Sequence, residues 1–178
     1  MENTLLINDR VAVNKVPFLL HTIKRGDIIV FHDPDHWLAD PTPSTGSFII
    51  AKLRDGLIAV GVLPNPAKQY LVKRVIGVAG DHVVCCDNHK RITVNGVPLY
   101  EPYIFKGDNP SDMNFDVKVA SSKLWVMGDH RGASKDSRYH TDDINKGMVP
   151  VNKVVGRVVA VIWPPSHSKI VHRISPLK

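Results

Sequence analysis

The sequence predicts a β-rich body with many turns, on three observations. Apolar residues recur mostly at every second position, the period of a strand. Helical periodicity is nearly absent. The 13 prolines and 12 glycines are spread as punctuation between short apolar runs. With 178 residues, 43% hydrophobic and 22% charged, the chain has globular rather than disordered composition. That length suits one domain with a proper core, or one domain carrying a small insertion.

Taken in order, Asp9-Arg-Val-Ala-Val-Asn-Lys15 alternates, and Asp27-Ile-Ile-Val-Phe31 is a short run suited to a buried strand. Residues 38–69, from Leu38 through Asp40-Pro-Thr-Pro-Ser-Thr-Gly46 to Pro64-Asn-Pro66, read as a loop excursion with a weak hairpin. Tyr70 to Val78 is rich in β-branched residues, which favour a strand. After a turn at Ala79-Gly80-Asp81, the pattern resumes in His82-Val-Val-Cys-Cys86. Arg91-Ile-Thr-Val-Asn-Gly-Val-Pro-Leu99 is a hairpin, because Asn95 and Gly96 both tolerate positive φ and favour a type I′ turn. Lys123-Leu-Trp-Val-Met127 and Val154 to Trp163 are further strands, and Pro164-Pro165 ends the last. No internal repeat or low-complexity segment interrupts this order.

The net charge of +6 and pI near 9.4 imply attraction to something anionic. No Lys/Arg-rich run or helical basic stripe concentrates that charge, so nucleic-acid binding is not expected. An anionic membrane surface or simple solubility accounts for it equally. Cys85 and Cys86 are adjacent, and neighbours bridge only with strain, so they read as buried thiols packing as small hydrophobes. No apolar stretch approaches the roughly 20 residues that span a bilayer, and the start carries no signal-peptide pattern; as it stands, the chain reads as a soluble body. His32 and His36 flank Asp33-Pro-Asp35, but Pro34 favours a loop and no third ligand lies nearby, so no metal is expected. Trp163-Pro-Pro165 reads as a strand end covering the core, and Glu101-Pro-Tyr103 as a turn after a strand.

Two segments carry chemistry. On a strand over Tyr70–Ile76, Leu71, Lys73 and Val75 share one face and Val72, Arg74 and Ile76 the other. A lysine enclosed by aliphatic side chains has a lowered pKa, and its free amine can take the proton of a serine hydroxyl. Taken alone, Lys73 and Arg74 read instead as the surface end of a strand, their stems lying along it. The second segment shifts that balance. Leu124-Trp-Val-Met-Gly-Asp-His-Arg-Gly-Ala-Ser-Lys-Asp-Ser-Arg138 is a strand running into a polar loop, where catalytic groups usually sit. Its charges Asp129, Arg131, Asp136 and Arg138 read as an ionic network.

Read together, four blocks resemble those of bacterial signal peptidase I, a membrane-anchored Ser–Lys protease that removes signal peptides from exported proteins. They are Met1-Glu-Asn-Thr-Leu5 with Asp9–Lys15, then Arg25-Gly-Asp-Ile-Ile-Val-Phe31, then Lys73-Arg-Val-Ile-Gly-Val-Ala-Gly-Asp81, and last Gly128-Asp-His-Arg131 with Ser134-Lys-Asp-Ser-Arg138. The resemblance implies a mainly β, antiparallel body with a small β insertion. The catalytic core would cover 1–81 and 123–165, the insertion 82–122, and a C-terminal tail 166–178. Lys73 would be the general base and Ser134 the hydroxyl that orients its amine. Asp129, Arg131, Asp136 and Arg138 would form the ionic scaffold, and Met1, Leu5, Leu71 and Val72 would line shallow apolar pockets for small side chains. The partners implied are signal peptides of exported preproteins, bound as an added strand beside the lysine strand, and the anionic outer face of a bacterial plasma membrane. No cofactor or metal is implied.

The chain departs from the pattern at its start. The family nucleophile is the serine directly before the methionine of the first block, which here is Met1. The oxyanion hole resembles one built from that serine's N–H and an upstream hydroxyl. A polypeptide beginning at Met1 is therefore expected to be inert as a protease. The natural chain is expected to extend upstream through a serine and a membrane helix, with a truncation that retains the fold as the alternative. Ser134 is not expected to substitute, because its place is beside the lysine. His130 stands where asparagine is usual, and Ala79 where proline is common. Two other functions share these residues: a non-catalytic peptide-binding homologue, and a self-cleaving Ser–Lys repressor-type domain, which would need a helix-turn-helix and a scissile loop.

Overall fold

The computed structural model describes residues 1–15, 23–38 and 69–177. The expected loop excursion therefore lies outside the described residues, apart from its ends at Leu38 and Gln69. The strands in chain order are β1 (Arg10–Asn14), β2 (Ile28–His32), β3 (Tyr70–Gly77), β4 (His82–Cys85), β5 (Ile92–Val94), β6 (Val97–Pro98), β7 (Phe115–Lys118), β8 (Lys123–Met127), β9 (Val149–Pro150), β10 (Val154–Trp163) and β11 (Lys169–Ile170). Only short 3-10 turns supplement them among the described residues. No described helix is long and apolar enough to cross a membrane.

The strands make two antiparallel sheets. One runs β1-β10-β2-β3-β8-β9, with β11 also on β10; the other runs β6-β5-β4-β7. β3 pairs with β2 from Tyr70↔His32 to Arg74↔Ile28, then with β8 from Arg74↔Met127 to Gly77↔Trp125. That hand-over puts β3 in the middle of the larger sheet with both of its faces covered. Leu71 and Val75 pack with Ile29, Phe31, Trp37 and Leu124 on one side. Ile76 packs on the other with Trp125, Met127 and the inward residues Val83, Ile92 and Val94 of the smaller sheet. The two sheets thus share a core, and each large aliphatic side chain removed from water there contributes about 1.5–3 kcal/mol.

The hairpin turn has the expected geometry, with φ of +54° at Asn95 and +80° at Gly96. The Asn95 side chain accepts from the His82 amide at 2.9 Å and donates to Asp81 at 3.0 Å, so the turn ties into the bend that starts β4. One sequence reading is corrected. Cys85 and Cys86 are joined by a disulfide rather than standing as two thiols, while Cys85 still faces the core. Residues 166–177, read as a C-terminal tail, touch the body at several points. β11 pairs with β10, the Tyr100 amide donates to Pro176 O at 2.8 Å, and Leu177 lies against the main cluster. Gly26, at φ +86°, sits where a Cβ would collide with the Ile174 carbonyl, so this segment also covers the entrance to β2.

Candidate active site

Lys73 lies inside β3, opposite Ile29 of β2, and only 9% of it is exposed. Arg74 is 1% exposed. The surface-end reading of this pair does not hold, because β3 is paired with β2 over Tyr70–Arg74 and with β8 from Arg74 onward, and its covered faces leave the two side chains little contact with water. The Lys73 Nζ donates to Ser134 Oγ at 2.6 Å in a buried contact. Desolvation holds the lysine pKa below its ordinary 10.5; Asp136 pulls it back up in part, and Arg138 pushes it further down.

Ser134 reaches that amine because the loop after β8 folds back on the strand. Gly128 supplies the space: a Cβ there would stand 2.6 Å from Ser134 Cβ and closer still to its Oγ. Asp136 accepts from the Gly128 amide at 3.0 Å and from Arg138 Nε at 2.9 Å. Ser137 Oγ accepts from the Val126 amide at 2.9 Å. The Arg138 guanidinium also donates to Arg131 O at 2.8 Å, closing the loop on itself.

The four charges expected to form one network are all buried, yet only Asp136 and Arg138 pair with each other. Asp129 pairs with Arg74 through bonds of 2.8 and 2.7 Å, and Arg131 pairs with Glu101. Thr4 Oγ1 donates to Asp129 and accepts from Arg74 Nη2 at 3.2 Å. The Arg74 guanidinium lies 3.9 Å over the Tyr103 ring. Arg74, Thr4, Glu101 and Tyr103 were therefore missed as part of this site. Arg74 had a legible signal, a guanidinium on the other face of an otherwise apolar strand. Glu101 had none, since Glu101-Pro-Tyr103 reads as an ordinary turn.

The N-terminal segment forms a turn, with the Thr4 and Leu5 amides donating to Met1 O at 3.1 and 3.0 Å. Burial lowers the pKa of the Met1 amine and the nearby Lys73 lowers it further, while Asp129, Glu2 and Asp136 oppose the shift. The Met1 nitrogen thus lies within electrostatic reach of the lysine. Beside it runs a groove of about 530 Å³ whose lining includes Met1, Glu2, Leu5, Val72, His130 and Ala133. Leu71 is not among those lining residues. It sits on the opposite face of β3 from Val72, in the cluster that holds Phe31 and Trp37, whereas Met1, Leu5 and Val72 line the groove. Among the described residues, no strand pairs the edge of Tyr70–Val72 that faces away from β2. Among them, too, no three His, Cys, Asp or Glu side chains gather as metal ligands, and the His32 ring lies 4.8 Å from that of Tyr70.

Among the described residues, a buried amine bonded to a hydroxyl, a strand edge with no partner strand and a groove lined in part by apolar side chains form one constellation. The "Signal peptidase, peptidase S26" family matches residues 1–163. A "Probable signal peptidase I" of Mycobacterium leprae is 36% identical over 90% of this chain and 62% of its own length. A "Signal peptidase I" of Mycobacterium tuberculosis is 34% identical over 96% of this chain and 62% of its own length. This chain thus spans less than two thirds of either relative. A crystal structure of a signal peptidase I from Enterococcus faecalis aligns at a TM-score of 0.47 and 24% identity, over 76% of this chain and 96% of that one. On the extent of the sequence match, this chain belongs to the signal peptidase, peptidase S26, family.

Proposed function

We propose that this chain is the catalytic body of a signal peptidase I, a serine-type endopeptidase that removes signal peptides from exported proteins. The observation that carries the reading is the buried Lys73 Nζ–Ser134 Oγ contact at 2.6 Å, with the Met1 nitrogen within electrostatic reach of Lys73. A serine joined to that nitrogen would bring its hydroxyl to the amine. With one N–H of neutral Lys73 committed to Ser134, the nitrogen lone pair is free to accept the serine proton. The serine oxygen then bonds to the substrate carbonyl carbon, the C–N bond breaks, and the Lys73 ammonium returns the proton to the departing amine. Lys73 next takes a proton from water, whose oxygen attacks the acyl carbon; the bond from that carbon to the serine oxygen breaks, and the Lys73 ammonium returns the proton to the serine.

The substrate is proposed to add along the edge of Tyr70–Val72 that no described strand pairs, its small side chains facing Met1, Leu5 and Val72. Asp129, Arg131, Asp136 and Arg138 would hold the site's frame without touching the reacting atoms. The net charge of +6 supports placement against the anionic outer face of a bacterial plasma membrane. A catalytic core over 1–81 and 123–165, with 82–122 as an insertion, is part of the same reading, supported by β4 to β7 forming their own sheet.

The test is a polypeptide with a serine directly before Met1, assayed on a fluorogenic peptide carrying small residues at its cleavage point. Turnover is expected there, and neither from its Lys73→Met variant nor from residues 1–178 alone. Tight peptide binding with no turnover by the serine-bearing polypeptide would sink the proposal and leave a peptide-binding module.

A further inference from the structure

We propose that Glu101 is a positioning residue: through Arg131 it holds the backbone at Gly128, and so sets the contact between Ser134 and Lys73. The inference rests on the reading of Lys73 as the base.

Glu101 lies on the segment that leaves the smaller sheet after β6 and crosses the polar loop following β8. Its Oε1 accepts from Arg131 Nη2 at 2.5 Å and from the Tyr103 hydroxyl at 2.9 Å. Arg131 is fully buried at its side chain and Glu101 only 5% exposed. A buried guanidinium needs an anionic partner, and the other two carboxylates of the loop are taken. Asp129 is held by Arg74, and Asp136 by Arg138. Glu101 is therefore the carboxylate that pairs with the Arg131 head among the described residues.

The remaining donors of Arg131 then act on the loop. Nε donates to Gly128 O at 2.9 Å, and Nη1 donates to Pro110 O at 2.5 Å. Gly128 is the residue whose missing Cβ makes room for Ser134. A shift of its backbone moves the wall against which the serine rests, and with it the partner of the lysine amine. The same crossing segment grips the loop on both sides of Arg131. The Phe105 amide donates to Asp129 O at 2.9 Å, and Asp108 accepts from the Gly132 amide at 3.0 Å. From Gly128 to Ser134 the loop carries no large aliphatic side chain, and its one ring, His130, stacks on Phe105 of the crossing segment at 4.1 Å. Polar grips from outside hold the rest, and the smaller sheet carries the segment that supplies them.

The experiment is Glu101→Gln, which keeps the shape and removes the charge. Its first readout is the NMR titration of the Lys73 side chain in residues 1–178, which needs no cleavage. The midpoint is expected to rise, because a loosened Ser134 lets water reach the amine. Its second readout is kinetics in the serine-bearing polypeptide. There kcat is expected to fall roughly 10²-fold while KM stays within about twofold, with the acidic limb of the pH profile moving upward. An unchanged Lys73 titration in folded Glu101→Gln, even with a lowered melting temperature, would overturn the proposal and make the pair merely structural. Should Glu101→Gln not fold, Tyr103→Phe, which removes only the hydroxyl's hold on Glu101, must shift the midpoint the same way by less. No shift in it overturns the proposal as well. Inactivity of the serine-bearing parent, by contrast, counts against the proteolytic reading and leaves the titration result standing.

Discussion

Gly128→Ala perturbs the site while leaving Lys73 and Ser134 in place. The new methyl would stand 2.6 Å from Ser134 Cβ and 3.7 Å from Lys73 Nζ. Carbon atoms rest at about 3.5–4.0 Å, so one side must give by about 1 Å. The Gly128 backbone is pinned, its amide by Asp136 at 3.0 Å and its carbonyl by Arg131 at 2.9 Å. Ser134 therefore moves, and its 2.6 Å bond to Lys73 opens by about 1 Å, beyond hydrogen-bond reach. Overpacking costs about 1–3 kcal/mol, and stranding a buried donor adds about 1–3 kcal/mol. The reaction should lose roughly 10²-fold in kcat, the penalty of about 1 Å of misplacement. Urea unfolding measures the first quantity and turnover by the serine-bearing polypeptide the second. Should Gly128→Ala keep full turnover and an unaltered Lys73 titration, Ser134 does not orient the amine and the geometric argument fails.

Two further outcomes follow from buried charge. The Lys73 pKa is lowered in the folded chain, so the unfolded chain binds the extra proton between the folded value and the ordinary 10.5. Stability contributed by this group therefore rises with pH through that window and is flat above it. Lys73→Met should remove that slope and be no less stable near neutrality; an identical pH dependence of the urea midpoints in both proteins would contradict the burial argument. Asp129→Asn leaves Arg74 buried without its counter-charge and should cost about 3–5 kcal/mol in urea unfolding, most of it recovered by replacing both residues with apolar ones. A loss of under about 1 kcal/mol would mean that water reaches the pair.

Much of the body was legible because the signals are local. β8 and β10 fall on their expected residues, and the Asn95-Gly96 turn follows from which residues accept positive φ. β7, β9 and β11 escaped notice: the first is polar at every second, exposed position, and the other two are only two residues long. The candidate base was legible as a lysine on an apolar strand, and the serine proposed to orient it came with the block that resembles a family.

What the sequence alone determined was the alternation along β3, which separates Leu71 and Lys73 from Val72 and Arg74. It could not say which face meets the groove and which the core. That choice belongs to the elements packed on each side, Phe31 and Trp37 on one and Met1 and Leu5 on the other. The charge pairings were likewise undecided by sequence. Any arginine can satisfy any carboxylate at equal distance, and only the folded backbone brings Glu101 to Arg131 and Arg74 to Asp129.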